Sequence, residues 1–153
     1  MIRRRAFFLV PSALALVLLE GCATAPTGPV GLNLVVHAGM DINPDSNGSG
    51  TPVPIRLYQL TDTASFDHAN IFDLITHGQD ALGTTLLGSE EVIIAPGSAR
   101  TITRTLAAGT QYLGVAVLFR DVERNAWRGT APVSGSGPTD LTLTISGLRA
   151  TLA

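Results

Sequence analysis

The sequence predicts an all-β domain: a β-sandwich of seven to eight strands in two sheets, with one or two short helices inserted. Three observations carry this. Several runs alternate apolar and polar residues with period two, the pattern of a strand with one face in a core and the other in water. One run, Tyr112 to Phe119, is apolar at both parities and so calls for cover on both faces, as a central strand has. The runs are separated by turn residues, 16 Gly and 9 Pro scattered without period through 153 residues, which excludes collagen and coiled coil.

Leu32, Leu34, Val36 and Ala38 share one parity while Asn33 and His37 take the other, which gives the first strand. Val53, Ile55 and Leu57 repeat the pattern, with Arg56 and Tyr58 placed outward. From Asp62 to His77 the alternation stops. Thr61 or Asp62 is placed to cap a helical turn carrying Phe66, and Asn70 to cap a second turn with Asp73 near its positive end. Phe66, Phe72 and Ile75 would form an apolar patch sealing one edge or end of the sandwich, with Gly78 as the stop. Glu91–Ala95 and Arg100–Leu106 are β-rich and flank Pro96-Gly97, which reads as a hairpin. Asn125–Arg128 and Leu141–Ser146 add two more strands after the central one, and Leu148, Ala150 and Leu152 carry the last pattern past Gly147, where a bulge is expected.

The amino terminus reads as an address and an anchor. Arg3, Arg4 and Arg5 precede the apolar run Ala6–Leu19, which is shorter than the roughly 20 residues a membrane-spanning helix needs and so reads as a signal-peptide core. Leu19-Glu20-Gly21-Cys22 resembles a bacterial lipobox, with Leu at −3, a small residue at −1 and Cys as the new first residue; Glu20 departs from the small or apolar residue usual at −2. Sulfur is nucleophilic enough to take a diacylglycerol, and cleavage before Cys22 frees an amine for a further acyl chain such as palmitate. The organisation is then residues 1–21 signal peptide, 22–31 lipidated tether and 32–153 sandwich domain, with Ala23 rather than Asp pointing to the outer membrane. The nine residues 23–31, rich in Pro, Gly and Thr, reach at most roughly 30 Å at about 3.3 Å each, so the domain stays close to its membrane.

Without residues 1–21 the chain keeps seven Arg, no Lys and eleven Asp and Glu, a formal −4. That balance argues against nucleic acid and against attachment to anionic headgroups by charge. Cys22 is the one cysteine, so no internal disulfide helps hold the fold.

Catalytic patterns are missing. Ser136 lies in Gly135-Ser136-Gly137-Pro138, without a strand-to-helix elbow to activate it. His37, His68 and His77 lack metal-ligand spacing, and Glu90 and Glu91, adjacent on a strand, point to opposite faces and cannot cooperate as acid and base. Asp121 and Glu123 read as a solvated turn, and Gly48-Ser49-Gly50 lacks the Lys and the helix of a phosphate loop. No enzyme, no cofactor, no metal and no small-molecule substrate is expected.

Asp41-Ile42-Asn43-Pro44-Asp45-Ser46-Asn47-Gly48 begins as calcium loops do, but its sixth position is Ser46 rather than Gly and its twelfth is Pro52 rather than Glu. What stands out is its length. The connection runs from about Gly39 to Pro52 where two to five residues would join two strands. Pro44, Pro52 and Pro54 stiffen it, and a shaped loop loses less entropy on docking.

Leu32-Asn33-Leu34-Val35-Val36-His37-Ala38-Gly39, Asn43-Pro44-Asp45, Gly48 and Pro52-Val53-Pro54-Ile55-Arg56-Leu57-Tyr58-Gln59-Leu60 are similar to the opening of the outer-membrane lipoproteins of type VI secretion, the TssJ (SciN/VasD) family. The likeness continues through Phe66, Phe72-Asp73-Leu74, Pro96-Gly97, Tyr112-Leu113-Gly114-Val115, Phe119-Arg120-Asp121 and Trp127-Arg128, essentially the whole mature chain. The resemblance implies a two-sheet transthyretin-like β-sandwich, lipid-anchored at Cys22 to the periplasmic face of the outer membrane. It implies the periplasmic C-terminal region of the inner-membrane subunit TssM as partner, with TssL reached indirectly, and a role in anchoring that membrane complex. The family's docking loop maps onto Asp41 to Thr51, with Asp41, Ile42, Asn43, Pro44, Asp45, Ser46, Asn47 and Gly48 as the contact candidates. Exchanging Asn43–Asp45 is then expected to weaken docking and to leave stability unchanged. The alternative is a ligand- or glycan-binding periplasmic sandwich, for which Trp127, Tyr58 and Tyr112 are the Trp and Tyr residues available.

Overall fold

A computed structural model describes residues 29–153, so Cys22 and most of the tether lie outside the described residues. Eight strands form two four-stranded sheets. One has the order β4 (Ala99–Leu106), β1 (Val30–Ala38), β7 (Thr139–Ser146), β8 (Arg149–Leu152); the other has β3 (Leu86–Ile94), β2 (Val53–Leu60), β5 (Tyr112–Val117), β6 (Trp127–Pro132). Neighbours are antiparallel except β1 and β7, which run parallel. Alternation places β1 as expected. Val30, Leu32, Leu34, Val36 and Ala38 are buried, while the outer face carries exposed His37 and an Asn33 amide that donates to Asp140 Oδ1 at 3.0 Å. Leu34, Val36, Leu143 and Ile145 meet Ile55, Leu57, Val115 and Val117 in the core between the sheets.

Two connections differ from the sequence reading. Glu91–Ala95 and Arg100–Leu106 do not pair as a hairpin: β3 pairs with β2 and β4 with β1, so Pro96-Gly97 carries the chain from one sheet to the other. Both strands turn apolar residues inward, Val92 and Ile94 from one side and Ile102 and Leu106 from the other. A turn signal marks a reversal without saying which sheet receives the next strand. At Gly147 the chain does not bulge but reverses through Gly147-Leu148, with Gly147 at φ +56°, and Ser146 faces Arg149 across the β7–β8 hairpin. Alternation continues through both arms, which is why the reversal read as one strand.

The helical insertion covers a face rather than an edge or end. α1 (Ala64–His68), α2 (Ile71–Thr76) and α3 (Gly78–Leu82) pack on the outer face of the β3-β2-β5-β6 sheet. Tyr58, expected outward, is buried there with Leu60, Phe66, Leu74, Leu82 and Ala116, its ring 5.2 Å from that of Phe66. This second core supplies the double cover that the run from Tyr112 required. Phe72, by contrast, is more than half exposed. Asn70 caps α2, accepting from the Phe72 N–H at 2.8 Å, and Asp62 accepts from the Ala64 N–H at 3.0 Å. Gly78 opens α3 instead of stopping the helix before it.

Helices of five or six residues leave nearly every carbonyl without an intrahelical partner. The sheet provides donors. Arg56 donates to Ile75 O at 2.6 Å, Arg128 to Phe66 O and Ala69 O at 2.8 and 2.7 Å, and the Tyr58 hydroxyl to Leu74 O at 3.2 Å. Burial works against the Arg56 cation, but its hydrogen bond to Glu91, the nearby Tyr58 oxygen and the Glu91 charge outweigh burial and leave its pKa raised.

Burial raises the Tyr58 pKa, with Arg56 pulling the other way. The folded chain therefore holds the phenol proton more tightly than the unfolded one, where tyrosine titrates near about 10. Stability from this group is complete below that value and is lost as pH climbs through the raised folded value. Melting temperatures measured from pH 7 to alkaline pH should be flat and then fall, and Tyr58→Phe should flatten the fall while lowering the neutral value by its lost hydrogen bond, roughly 1 kcal/mol. An identical alkaline slope in Tyr58→Phe would remove Tyr58 from the explanation.

Candidate docking loop

β1 has nine residues, so at about 3.3 Å per residue it carries the chain roughly 30 Å from Val30 to the loop after Ala38. The loop and the start of β1 are at opposite ends of the sandwich. Within the loop Ile42 is fully buried in the core between the sheets and Asn43 is 5% exposed.

Asn43 is the hub. Its amide nitrogen donates to Thr51 Oγ1 at 3.0 Å and to Pro52 O at 2.9 Å, and its amide oxygen accepts from the Arg120 N–H at 2.6 Å. Its own N–H donates to Gly147 O at 2.9 Å, and its carbonyl accepts from the Thr51 hydroxyl. The backbone there is left-handed, φ +47°, a conformation in which asparagine is among the few tolerated residues. One side chain thus ties the two ends of the loop to each other and to the segment after β5.

The tip is organised by Asp45. Its Oδ1 accepts from the N–H groups of Asn47 and Ser49 at 2.8 and 2.9 Å, an Asx arrangement that fixes the turn Ser46-Asn47-Gly48. Near the base, a Cβ at Gly50 would lie 2.0 Å from Met40 O, so only glycine fits that approach. Gly97 N–H donates to Gly39 O at 3.0 Å, and Met40, 76% exposed, lies across Gly97. The loop is therefore fastened to the β3–β4 turn, to the segment after β5 and to the β7–β8 turn.

Of the eight contact candidates, Asp41, Ser46, Asn47 and Gly48 are exposed, Pro44 and Asp45 half-buried, and Ile42 and Asn43 buried. The expectation that an Asn43–Asp45 exchange spares stability is thereby corrected, because it removes the hub. Met40 was not singled out by sequence, and its exposed apolar side chain beside the polar tip is the surface feature the reading missed. A shallow groove of about 400 Å³ adjoins the loop, lined by His37, Gly39, Gly97, Ser98, Thr144 and Ser146.

The remaining candidates stand apart. Among the described residues no group of three or more His, Cys, Asp or Glu is placed to hold a metal, and none of their helices is long and apolar enough to cross a membrane. Glu91 binds Arg56 and Glu90 binds Arg104, on opposite faces as their adjacency requires. The aromatic supply for a glycan is thinner than the sequence suggested, since Tyr58 is buried and Tyr112 and Trp127 are half-buried.

Fold and loop together define a transthyretin-like sandwich that displays one braced loop at the end opposite the start of β1. The sequence model of the family described as "Type VI secretion lipoprotein, VasD, EvfM, TssJ, VC_A0113" matches residues 31–147, and the chain belongs to the type VI secretion lipoprotein family. Among solved structures, "the T6SS lipoprotein TssJ1 from Pseudomonas aeruginosa" is similar with a TM-score of 0.76 and 31% identity over 82% of this chain and 96% of that one. A chain of a structure described as "Type VI membrane complex" gives 0.71 and 29% over 81% and 98%. A chain of "T6SS protein TssM C-terminal domain (869-1107) from EAEC" gives 0.66 and 28% over 80% and 97%. No curated protein sequence matches significantly.

Proposed function

We propose that this chain is a non-catalytic anchor of the type VI secretion membrane complex, held by acyl groups on Cys22 at the periplasmic face of the outer membrane. Its braced loop docks the periplasmic C-terminal region of TssM, and TssL is reached only through TssM. The observation that carries the reading is the construction of the loop: a buried hub holds its base while Asp41, Ser46, Asn47 and Gly48 stay exposed at a fixed place. A presented tip of this kind loses little entropy when it binds. The structure named for the TssM C-terminal domain supports the partner, since it contains a chain of this fold, and four fifths of the present sequence cover nearly all of that chain. The lipid confines the domain to two dimensions, which raises the effective concentration at which the loop meets a partner crossing the periplasm.

Calorimetric titration of the TssM C-terminal region tests this. A chain with Ser46→Arg and Asn47→Arg should bind at least about tenfold more weakly, roughly 1.4 kcal/mol, with its melting temperature unchanged because neither side chain makes a contact that braces the loop. Unchanged affinity would move the interface off the loop.

A further inference from the structure

We propose that the tether end of the sandwich is a lipid-facing surface on which the domain stands upright. The proposal rests on the lipid-anchor reading above and adds to it an orientation.

The loops at that end are fixed by register. Val30, where the tether joins β1, pairs with Leu106, and Leu32 pairs with Thr139. Around them, Gly31 lies beside Pro138, Gly109 lies beside Leu87, and Val133 donates to Gln111 O. The end is thus made from Leu86–Gly88, Ala107–Gln111 and Val133–Pro138, around the start of β1.

These segments read Leu-Leu-Gly, Ala-Ala-Gly-Thr-Gln and Val-Ser-Gly-Ser-Gly-Pro, without a charged residue. Of the neighbouring turns, that after β2 contributes Asp62, whose carboxylate accepts from the Ala64 N–H. The next charges are Asp67 on α1, Asp80 on α3, Asp140, which accepts from Asn33, and the Glu90–Arg104 pair. The opposite end carries Asp41, Asp45, Arg120, Asp121, Arg124 and Arg149. The two ends therefore differ: the three loops around the start of β1 carry no charge and have Asp62 beside them, while the end where the loop stands carries six charges of both signs.

The three loops at this end bring no carboxylate of their own to anionic headgroups, which would repel one. Exposed Leu87, Ala107 and Ala108 offer apolar contact, and Tyr112, half-buried at the start of β5, is an amphipathic ring suited to headgroup depth. Ser, Thr and Gly at the tips keep their backbone groups hydrated in the interface, so shallow contact leaves none unsatisfied. Pro29 is seven positions after Cys22, a maximum reach of roughly 25 Å that holds this end within range of the bilayer. Standing on it, the domain aims its loop away from the membrane.

The test uses the acylated chain, in which Cys22 is consumed by lipid and an introduced cysteine is the one free thiol. Fluorophores at Ala108→Cys and at Ser46→Cys are compared in phosphatidylethanolamine and phosphatidylglycerol vesicles bearing headgroup-depth spin-labelled lipids. Quenching at Ala108→Cys should exceed that at Ser46→Cys by about threefold or more, and Leu87→Glu should reduce it without changing the melting temperature. Equal quenching at both ends means a freely tumbling domain and overturns the proposal. Protection of the Ala108→Cys fluorophore by self-association in lipid-free solution would assign this end to a second copy and also overturn it. Mass spectrometry of the Cys22 peptide reads the anchor separately. If that peptide is unmodified the anchor reading fails, and the orientation is then read on the mature Cys22→Ser chain held by an N-terminal hexahistidine tag on nickel-chelating lipid.

Discussion

A Cys22→Ser chain should leave the membrane fraction and abolish type VI secretion, while melting at the temperature of the unsubstituted chain. The size of the first effect follows from the anchor. One acyl chain gives marginal, reversible attachment, whereas two or three, at roughly 0.8 kcal/mol per buried methylene, hold a protein almost permanently. Charge does not replace them, since residues 22–153 carry a formal −4, which anionic headgroups repel. The second effect follows from the first, since a released domain meets its partner at bulk concentration and no longer links that partner to the membrane. The third separates anchoring from folding. Both cores are built within residues 29–153, so substitution at position 22 leaves their packing alone. Fractionation, a secretion assay and a thermal melt read the three effects in turn, and a soluble Cys22→Ser form that supports full secretion would refute tethering.

Legibility followed the range of the interactions. Alternation placed β1, β2 and β7 because each has one face in the core between the sheets, and the two-parity run located β5 because central position and double cover leave a mark on every residue. The pairing of β3 and β4 was illegible because Pro96-Gly97 specifies a reversal, and only the two-sheet packing decides that the returning strand joins the other sheet. Tyr58 was misread for a related reason. Its parity is the outer one, and what makes that face interior is a helical layer whose docking depends on Arg56 and Arg128 reaching its carbonyls from the sheet. The loop was legible as long and stiffened; its division into hub and tip was not, because the bonds of Asn43 reach Arg120 and Gly147, far away in the chain.

That division makes Asn43 the position with the largest expected effect on stability. Asn43→Ala removes two donated bonds and one accepted bond, each worth about 1 kcal/mol net, and places a residue with a Cβ and no local bonding at φ +47°, a strain of roughly 1 kcal/mol. The sum, about 3 to 4 kcal/mol, would lower the melting temperature of a domain this size by on the order of 10 °C. Two further substitutions separate the terms. Asn43→Gly loses the bonds and keeps an unstrained backbone, so it should melt above Asn43→Ala by the strain alone; Asn43→Asp keeps the acceptor for the Arg120 N–H, loses both donors and should destabilise as well. Binding should follow stability here, because a loop freed at Thr51 and Arg120 must be ordered again on docking, in contrast to the tip substitutions at Ser46 and Asn47, which weaken binding alone. A melting temperature for Asn43→Ala within about 1 °C of the unsubstituted chain would show that Asp45 and the close approach at Gly50 shape the loop without the hub, and the loop would then be braced from its tip rather than from its base.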